Sequence, residues 1–324
     1  MAARGASRPI AYSWRALRLP PGALRRARGL PGYLRAYRRA LREVGPVLVH
    51  ANSLTTFAEA AVARHAGIPT VFHVHEMVAP TPKGRLAAAL ARRVASELVA
   101  VSEASAAPLR EGSGSVRIVY EGAPAPPPPE PRQRDRPQVV VGTVGVISRR
   151  KGSDVFVDAA GLVRRQSDDV DFRMIGAPTD PLDAAWAEAV LRRAREAGIA
   201  HEPRAPVLDA IREWDVFALP SRRDPFPISL LEAMGAGLAI IGADVDGIPE
   251  QLTPGCGLLV EPESPRALAD AILELARCPD RRMELGAAAR RRFLERFTIP
   301  RQAEGLDGAY LAALDRERWA RASS

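Results

Sequence analysis

Three short segments of the 324-residue chain combine residue types that recognise anions or sugar hydroxyls. The first runs from Gly145 to Gly152, after an apolar run and before a helical pattern. It places Arg149, Arg150 and Lys151 beside the start of the predicted helix, where free amides and the helix dipole already favour an anion. Gly145 lets a ligand approach the backbone closely. The segment predicts a diphosphate site, although a solvated basic turn would have the same composition.

The second segment is a loop and helix that carry two acids eight positions apart, Asp224 and Glu232. Glu232 falls inside an otherwise apolar helix, where an acid is unfavourable unless it has a partner. A partly buried carboxylate that faces a crevice can accept two hydroxyls of a ribose or hexose, and an internal ion pair with an arginine is the alternative. At the start of this helix, the free amides of Ile228 and Ser229 can meet phosphate oxygens.

The third segment ends a β-rich run with alternating histidines. His73 and His75 lie on one face of the predicted strand, Val74 lies on the other, and Glu76 follows directly. The position at the end of a strand favours a functional role for at least one histidine. A satisfied core histidine is the alternative.

These segments are positioned by a pattern that alternates β-rich runs with helical stretches from residue 46 onward. The predicted strands are Val47–His50, Thr70–His75, Leu98–Val101, Val116–Tyr120, Val139–Val144, Phe172–Ile175, Val216–Pro220, Ala239–Gly242 and Leu258–Val260. The predicted helices are Thr55–His65, Arg85–Val94, Ser153–Arg165, Leu182–Ala197, one that begins with Ile228–Met234, Arg266–Ala276, Arg281–Phe297 and Gln302–Ala320. Such alternation predicts βαβ units and parallel sheets. Their ligands bind beyond the carboxyl ends of the strands, here in a crevice expected between two domains.

A proline-rich stretch separates two blocks of this alternation, with six prolines in residues 124–131. Such a sequence cannot lie inside a helix or a sheet and is typical of a stiff extended linker. We therefore expect five parts: an arm at 1–45, a first domain at 46–122, a linker at 123–137, a second domain at 138–297, and a C-terminal helix at 298–324 that packs back on the first domain.

The net charge of +8 is concentrated at the N-terminus, because residues 1–45 hold eleven arginines and one acid. In this arm Leu34, Tyr37 and Leu41 share one face of a predicted helix. The other face carries Arg35, Arg38, Arg39 and Arg42. The pattern predicts a surface helix packed on the first domain, and a patch that attracts anionic lipid headgroups is the alternative. Nucleic-acid binding is disfavoured because no recognised fold supports it.

Composition excludes several classes of protein. Two cysteines, Cys256 and Cys278, give neither a disulfide framework nor a zinc quartet. The five histidines are too scattered for a metal cluster. No apolar run reaches the roughly 18 residues that a membrane-spanning helix needs, and no signal peptide is recognisable. We therefore expect a soluble cytoplasmic protein without a metal site.

Three segments together, Pro220–Gly237, Gly145–Gly152 and Asp246–Glu250, resemble the retaining glycosyltransferases of family 4, which have the GT-B fold. In the family pattern an acid is followed after seven residues by Glu, then by Ala-Met and by a small residue with glycine, and residues 224–237 keep this order. The resemblance extends from about 47 to 297 and is strongest in 139–260.

The resemblance implies an α/β fold of two Rossmann-like parallel-sheet domains that face each other across a cleft. Residues 46–122 would then form the acceptor-side domain, and residues 138–297 the nucleotide-sugar-binding domain. Family members normally begin with a strand and a Gly-rich loop, whereas this chain reaches its first clear strand at Val47. We therefore expect a reduced N-terminal domain that lacks one or two initial βα units.

The resemblance also implies roles for single residues. Lys151 matches the lysine that binds the donor diphosphate, and Glu232 matches the glutamate that holds the ribose hydroxyls. Asp224 matches the acid that contacts the donor sugar, and His75 matches the histidine beside that sugar. The expected catalytic residues are therefore Asp224 and His75. Ser102 matches a serine that is more structural than catalytic.

The implied activity is transfer of a sugar, with retention, from a nucleotide sugar to an acceptor hydroxyl. The donor is expected to be UDP- or GDP-linked, with no metal or other cofactor, and the acceptor to be a glycan, a lipid-linked molecule or a natural product. Two alternatives are a non-catalytic nucleotide-sugar-binding subunit and a GT-B nucleotide-sugar epimerase. The expected location is the cytoplasm, including the inner face of an anionic membrane.

Three residues in the donor segments depart from the family pattern. Asp224 is shorter by one methylene than the usual Glu. Val146 stands where Arg is frequent, so we expect Arg149 or Arg150 to supply the missing cation. Pro227 stands where Gly is frequent and has no amide hydrogen to donate.

Overall fold

A computed structural model describes residues 23–110, 115–127 and 138–322, and these divide into two compact units. The first unit combines residues up to Ala100 with 108–117 and with the chain from Asp307 onward. The second unit combines 101–107 with 118–306. Each unit is a parallel-sheet α/β domain.

The first unit contains a four-stranded sheet in the order β1-β2-β3-β4. Its strands are β1 Val49–Asn52, β2 Thr70–Val74, β3 Glu97–Ala100 and β4 Arg117–Ile118. β1 pairs parallel with β2, and β2 with β3, so that Asn52 lies opposite His73. Every residue of β2 and β3 is buried, as expected for the central strands of a sheet covered on both faces.

Helices surround this sheet. They are α1 Ala23–Val44, α2 Phe57–His65, α3 Pro82–Val94, the end of α4 Glu103–Arg110, and the end of α12 Ile299–Ala322. On α12, Tyr310 shares a 2.8 Å hydrogen bond with His50 of β1, and Arg316 lies 2.9 Å from the Glu97 carboxylate of β3. Arg117 pairs with the same buried carboxylate at 2.9 Å. The C-terminal helix is therefore fastened to the sheet of the first unit.

Helix α1 packs on α2 through the face that its sequence pattern predicts. Leu41 is buried, and Tyr33 donates a 2.7 Å hydrogen bond to Glu59 of α2. The opposite face leaves four arginines exposed, namely Arg35, Arg38, Arg39 and Arg42. α2 packs on the apolar face of α1, whereas these four arginines are open to a partner. Residues 1–22 of the predicted arm lie outside the described residues.

The second unit contains a six-stranded parallel sheet in the order β10-β9-β8-β5-β6-β7. Its strands are β5 Val139–Val144, β6 Val170–Ile175, β7 Ala200–Glu202, β8 Val216–Leu219, β9 Ala239–Ala243 and β10 Leu258–Val260. Its helices are α5 Ser153–Arg164, α6 Ala184–Glu196, α7 Val207–Ala210, α8 Ile228–Gly235, α9 Ile248–Gln251, α10 Pro265–Arg277 and α11 Pro279–Arg296, with the start of α4 and the start of α12. The strand order reverses between β5 and β8.

Apolar side chains bury both faces of this second sheet. Phe156 and Phe172 pack on one face with α5, α6 and α10. Phe217 and Phe293 belong to the cluster on the other face, with α8 and α11. Near-continuous burial along β5, β8 and β9 explains why these strands read as unbroken apolar runs.

The boundaries between the two compact units do not lie at the predicted linker. Ala123 forms a parallel bridge with Thr298, and Arg290 donates to the Pro126 carbonyl at 3.0 Å. These contacts hold the start of the proline-rich stretch on the second unit, so residues 118–127 group with 138–306 rather than with the first unit. Residues 128–137 lie outside the described residues.

No helix in the described ranges has both the length and the apolar character needed to cross a bilayer.

Candidate active site

The candidate site of the second unit lies where the strand order reverses. Lys151 follows β5 and Asp224 follows β8, and these two strands are neighbours in the sheet. In open parallel sheets, ligands bind beyond the carboxyl ends of the strands at such a reversal. The topology alone therefore brings together two segments that are 73 residues apart.

The basic turn, residues 148–152, is shaped by its first and last residues. Ser148 accepts the amide hydrogen of Lys151 at 3.3 Å and begins a short 3-10 helix over Arg149–Lys151. Gly152 ends it with a φ of +66°, and a Cβ atom there would lie 1.9 Å from the Pro220 carbonyl oxygen. Only glycine permits this approach. The close contact between Gly152 and Pro220 holds the basic turn against the end of β8.

Lys151 and Asp224 form the centre of the site. The Nζ atom of Lys151 lies 2.6 Å from Oδ2 of Asp224, and the two side chains are only 14% and 6% exposed. Ser221 donates its hydroxyl to the same carboxylate oxygen at 3.2 Å. The predicted diphosphate cation and the predicted sugar-contacting acid are thus already paired with each other.

The two arginines of the basic turn point to different neighbours. Arg149 lies over the ring of Trp186, 4.9 Å from its centroid, and 3.8 Å from the carboxylate of Asp183. Arg150 donates to the Arg223 carbonyl at 3.1 Å and lies 3.8 Å from Oδ1 of Asp224. Of the two arginines expected to replace the missing cation, Arg150 is therefore the one beside Asp224.

Residues 220–227, between β8 and α8, form the acid loop that carries Asp224. Arg222 of this loop binds it to the basic turn, a role that the sequence did not reveal. Its guanidinium donates to both carboxylate oxygens of Asp154 at 2.8 and 2.9 Å, to Glu263 at 2.7 Å, and to the Arg149 carbonyl at 2.7 Å. Burial alone would raise the pKa of Asp154, but the hydrogen bonds and charge of Arg222 hold that pKa below its ordinary value. Such a two-pronged pair fixes geometry as well as charge.

Asp246 braces the loop that carries Asp224. Its Oδ2 accepts the amide hydrogen of Asp224 at 2.8 Å and the Nε hydrogen of Arg223 at 3.0 Å. Its φ of +47° lies in the left-handed region, which aspartate tolerates better than most residues. The next amide, Gly247, donates to the Asp224 carbonyl at 3.1 Å. Asp246 and Gly247, in the third segment that resembles the family, thus hold Asp224 from two sides.

Glu232 lies half-buried in α8, and burial raises the pKa of its carboxyl group. Among the residues that the structure describes, no hydrogen bond or ion pair engages this carboxylate. The arginine partner proposed as the alternative explanation is therefore not found in those ranges. A desolvated carboxylate without a partner is characteristic of a functional site.

We expect Glu232→Gln to raise the melting temperature at neutral pH. Between the ordinary and the raised pKa of Glu232, the folded protein holds a proton that the unfolded chain releases, so wild-type stability falls as the pH rises through this window. Glutamine does not titrate, so the variant does not lose this stability as the pH rises. Thermal unfolding at several pH values should show the gain at pH 7 and none below about pH 4. Glu295→Gln, an exposed substitution on α11, is the control and should show no gain.

The start of α8 and the turn at Gly145 complete the site. Pro227 precedes the helix and no side chain caps it. Ile228 is 50% exposed and Ser229 is half-buried. At the end of β5, the Gly145 carbonyl packs closely on Gly176, because a Cβ atom on Gly176 would lie 1.8 Å from the Gly145 oxygen. The first amides of α8 remain uncapped by side chains, as an anion site requires.

His75 belongs to the first unit, at the carboxyl end of β2. Its Nε2 lies 2.5 Å from Oδ1 of Asn52, and its ring is 4.1 Å from that of buried His73. Glu76 accepts from Ser53 and from the amides of Leu54 and His75, each amide at 3.2 Å. Glu76 and Asn52 therefore hold His75, and nothing in the sequence had marked Asn52 for such a role.

Ser102 and Glu250 stabilise the start of α4. Ser102 is buried and caps the start of α4 by accepting the amide hydrogen of Ser105 at 3.1 Å. Glu250 accepts the amides of Glu103 and Ala104 at 2.8 and 2.9 Å. In the described ranges, no group of three His, Cys, Asp or Glu side chains is arranged to hold a metal ion.

Two family models match the chain. Residues 2–125 match the model described as Glycosyltransferase Family 4, and residues 138–278 match the model described as Glycosyl transferases group 1. The chain belongs to glycosyltransferase family 4. The two models cover both of the family's domains, and the second one includes the basic turn, the acid loop and Asp246.

Curated relatives of this family match over part of their length. The D-inositol 3-phosphate glycosyltransferase of Corynebacterium diphtheriae is 31% identical over 181 residues, which are 53% of this chain and 42% of that protein. The alpha-maltose-1-phosphate synthase of Mycolicibacterium smegmatis is 35% identical over 51% of this chain and 46% of its own. The chain thus spans less than half the length of these two relatives.

Solved structures share the fold. The crystal structure of Anabaena HepE in complex with UDP and glucose superposes with a TM-score of 0.75 at 21% identity, over 85% of this chain and 80% of that one. At this identity the likeness establishes the fold. The predicted GT-B class, with two parallel-sheet α/β domains, is confirmed.

Proposed function

We propose that this family 4 member is a retaining glycosyltransferase that moves a sugar from a nucleotide sugar to an acceptor hydroxyl without a metal ion. The observation that carries the proposal is the Lys151–Asp224 centre at the strand reversal, flanked by Arg150 and by the uncapped start of α8. Relatives named as glycosyltransferases, and a fold neighbour crystallised with UDP and glucose, support it.

The residues take distinct parts in this proposal. Lys151, Arg150 and the amides of Ile228 and Ser229 bind the diphosphate and stabilise the charge that grows on it as it leaves. Glu232 accepts the ribose hydroxyls. The bond between the anomeric carbon and the diphosphate oxygen breaks, the acceptor oxygen bonds to that carbon on the same face, and the proton of the acceptor hydroxyl passes to solvent. Asp224 contacts the donor sugar during this exchange.

His75 takes its part from the first unit. We propose that it lies beside the donor sugar during transfer, held in one orientation by Asn52. A UDP- or GDP-linked donor fits the proposal, and the acceptor is a glycan, a lipid-linked molecule or a natural product.

Thermal unfolding with UDP, GDP, ADP and TDP, each with and without its sugar, tests donor binding. A ligand at 100 times its Kd stabilises the native state by about 2.7 kcal/mol, which shifts the melting temperature by several degrees. We expect the melting temperature to shift with one nucleotide. For Glu232→Gln we expect a smaller shift, because this variant should bind that nucleotide roughly tenfold more weakly. No shift with any nucleotide contradicts the proposal.

Product analysis tests the chemistry. With the donor that binds, proton NMR of the product should show the anomeric configuration of the donor retained, and EDTA should leave the rate unchanged. Binding without transfer to any acceptor indicates a non-catalytic subunit. A changed sugar on the nucleotide, formed without acceptor, indicates an epimerase.

We also propose that the exposed arginine face of α1 contacts anionic membrane surfaces. Near such a surface each arginine contributes about 1 kcal/mol, and the attraction falls with ionic strength. The protein should sediment with phosphatidylglycerol vesicles at low salt and be released at high salt. Changing Arg35, Arg38, Arg39 and Arg42 to Gln should abolish sedimentation. Sedimentation that persists in this variant contradicts the proposal, and neutral phosphatidylcholine vesicles are the control.

A further inference from the structure

The cation offered to the diphosphate is neutralised before any ligand arrives. Asp224 holds Lys151 at 2.6 Å, and both side chains are largely shielded from solvent. Arg150 approaches the other oxygen of the same carboxylate. An incoming diphosphate therefore meets a carboxylate as well as two cations, and the repulsion between like charges offsets part of the attraction.

Asp224 cannot easily turn away from this position. Its amide donates to Asp246, and its carbonyl accepts from Gly247. A Cβ atom on Gly247 would lie 1.9 Å from the Pro225 carbonyl oxygen, which shows how closely the two loops pack. Ser221 holds the carboxylate itself. The negative charge therefore stays beside Lys151 when the site is filled.

We propose that Asp224 has a second role, to lower the affinity of the site for the nucleoside diphosphate product and so to drive its release. This inference rests on the proposed function. In the donor complex the sugar hydroxyls donate to Asp224 and offset its repulsion of the diphosphate. After transfer the sugar has left, the diphosphate carries one more negative charge, and no sugar hydroxyl offsets its repulsion by Asp224.

Calorimetric titration with the nucleoside diphosphate selected by the thermal panel tests this role. Asp224→Asn keeps the size of the side chain and removes its charge. We expect it to bind the diphosphate about tenfold more tightly than wild type, which corresponds to about 1.4 kcal/mol. Asp224→Glu keeps the charge and should bind as wild type does. Asp224→Ala, a second neutral variant, should show the same gain as Asp224→Asn.

A double-mutant cycle assigns the gain to the Lys151 pair. If Asp224 acts by neutralising Lys151, the gain from Asp224→Asn should largely disappear in a Lys151→Met background. Equal or weaker diphosphate binding by both neutral variants overturns the inference and leaves the proposed function standing. Absence of nucleotide binding by the wild type overturns both. The nucleoside without phosphates is the control and should bind all variants equally.

Discussion

Replacing Lys151 by Met is expected to reduce kcat/KM for sugar transfer by about 100- to 1,000-fold. Lys151 is the shielded cation at the centre of the site, and the growing charge of the leaving diphosphate needs a fixed cation there. Arg150 is 50% exposed and lies farther from Asp224, so it replaces Lys151 only in part. Steady-state kinetics with the identified donor measure the loss.

The chain offers a matched control for this experiment, because it contains only one other lysine. Lys83 is exposed on α3, and Lys83→Met should leave kcat/KM within about twofold of wild type. The loss in Lys151→Met should be much smaller for binding of the nucleoside than for binding of the nucleoside diphosphate. Full activity of Lys151→Met would remove Lys151 from the proposed mechanism.

Replacing Gly152 by Ala is expected to destabilise the second unit by about 3 kcal/mol or more. The new Cβ would meet the Pro220 carbonyl at 1.9 Å, and the backbone at φ +66° strains any L-residue with a side chain. The melting temperature should fall by roughly 6–12 °C. Nucleotide binding should weaken as well, because the basic turn must move away from the end of β8.

Gly161→Ala in α5 is the matched control. A Cβ atom at Gly161 meets nothing within 4 Å, and its helical position favours alanine. This variant should be as stable as wild type or slightly more stable. If Gly152→Ala melted within about 2 °C of wild type, the close packing of the turn on β8 would not be essential.

The sequence predicts most of the second unit because its strands are buried on both faces. The limits of β5 and β10 agree with the prediction to the residue, and β6, β8 and β9 agree within one or two. Short elements were missed. β7, with half-exposed and exposed residues, has no apolar pattern, and α4 contains Pro108, which argues against a helix.

The site was only partly predictable, for a physical reason. Charge and spacing identify Lys151, Asp224 and Glu232 as candidates, because their residue types carry the chemistry. Their supporting residues act through backbone contacts across the fold. Arg222 reaches the Arg149 carbonyl and Asp246 the Asp224 amide, and nothing in a linear sequence marks such contacts. The linker was placed by composition, whereas Ala123 and Pro126 belong by contact to the second unit.

The return of α12 to the first unit sets an order of events during synthesis. The ribosome makes residues 118–306 of the second unit before it makes Tyr310 and Arg316, which the first unit needs. Until then the buried carboxylate of Glu97 pairs with Arg117 but lacks Arg316. The first unit therefore cannot complete its core until α12 has been made, although the strands of its sheet precede those of the second unit in the sequence.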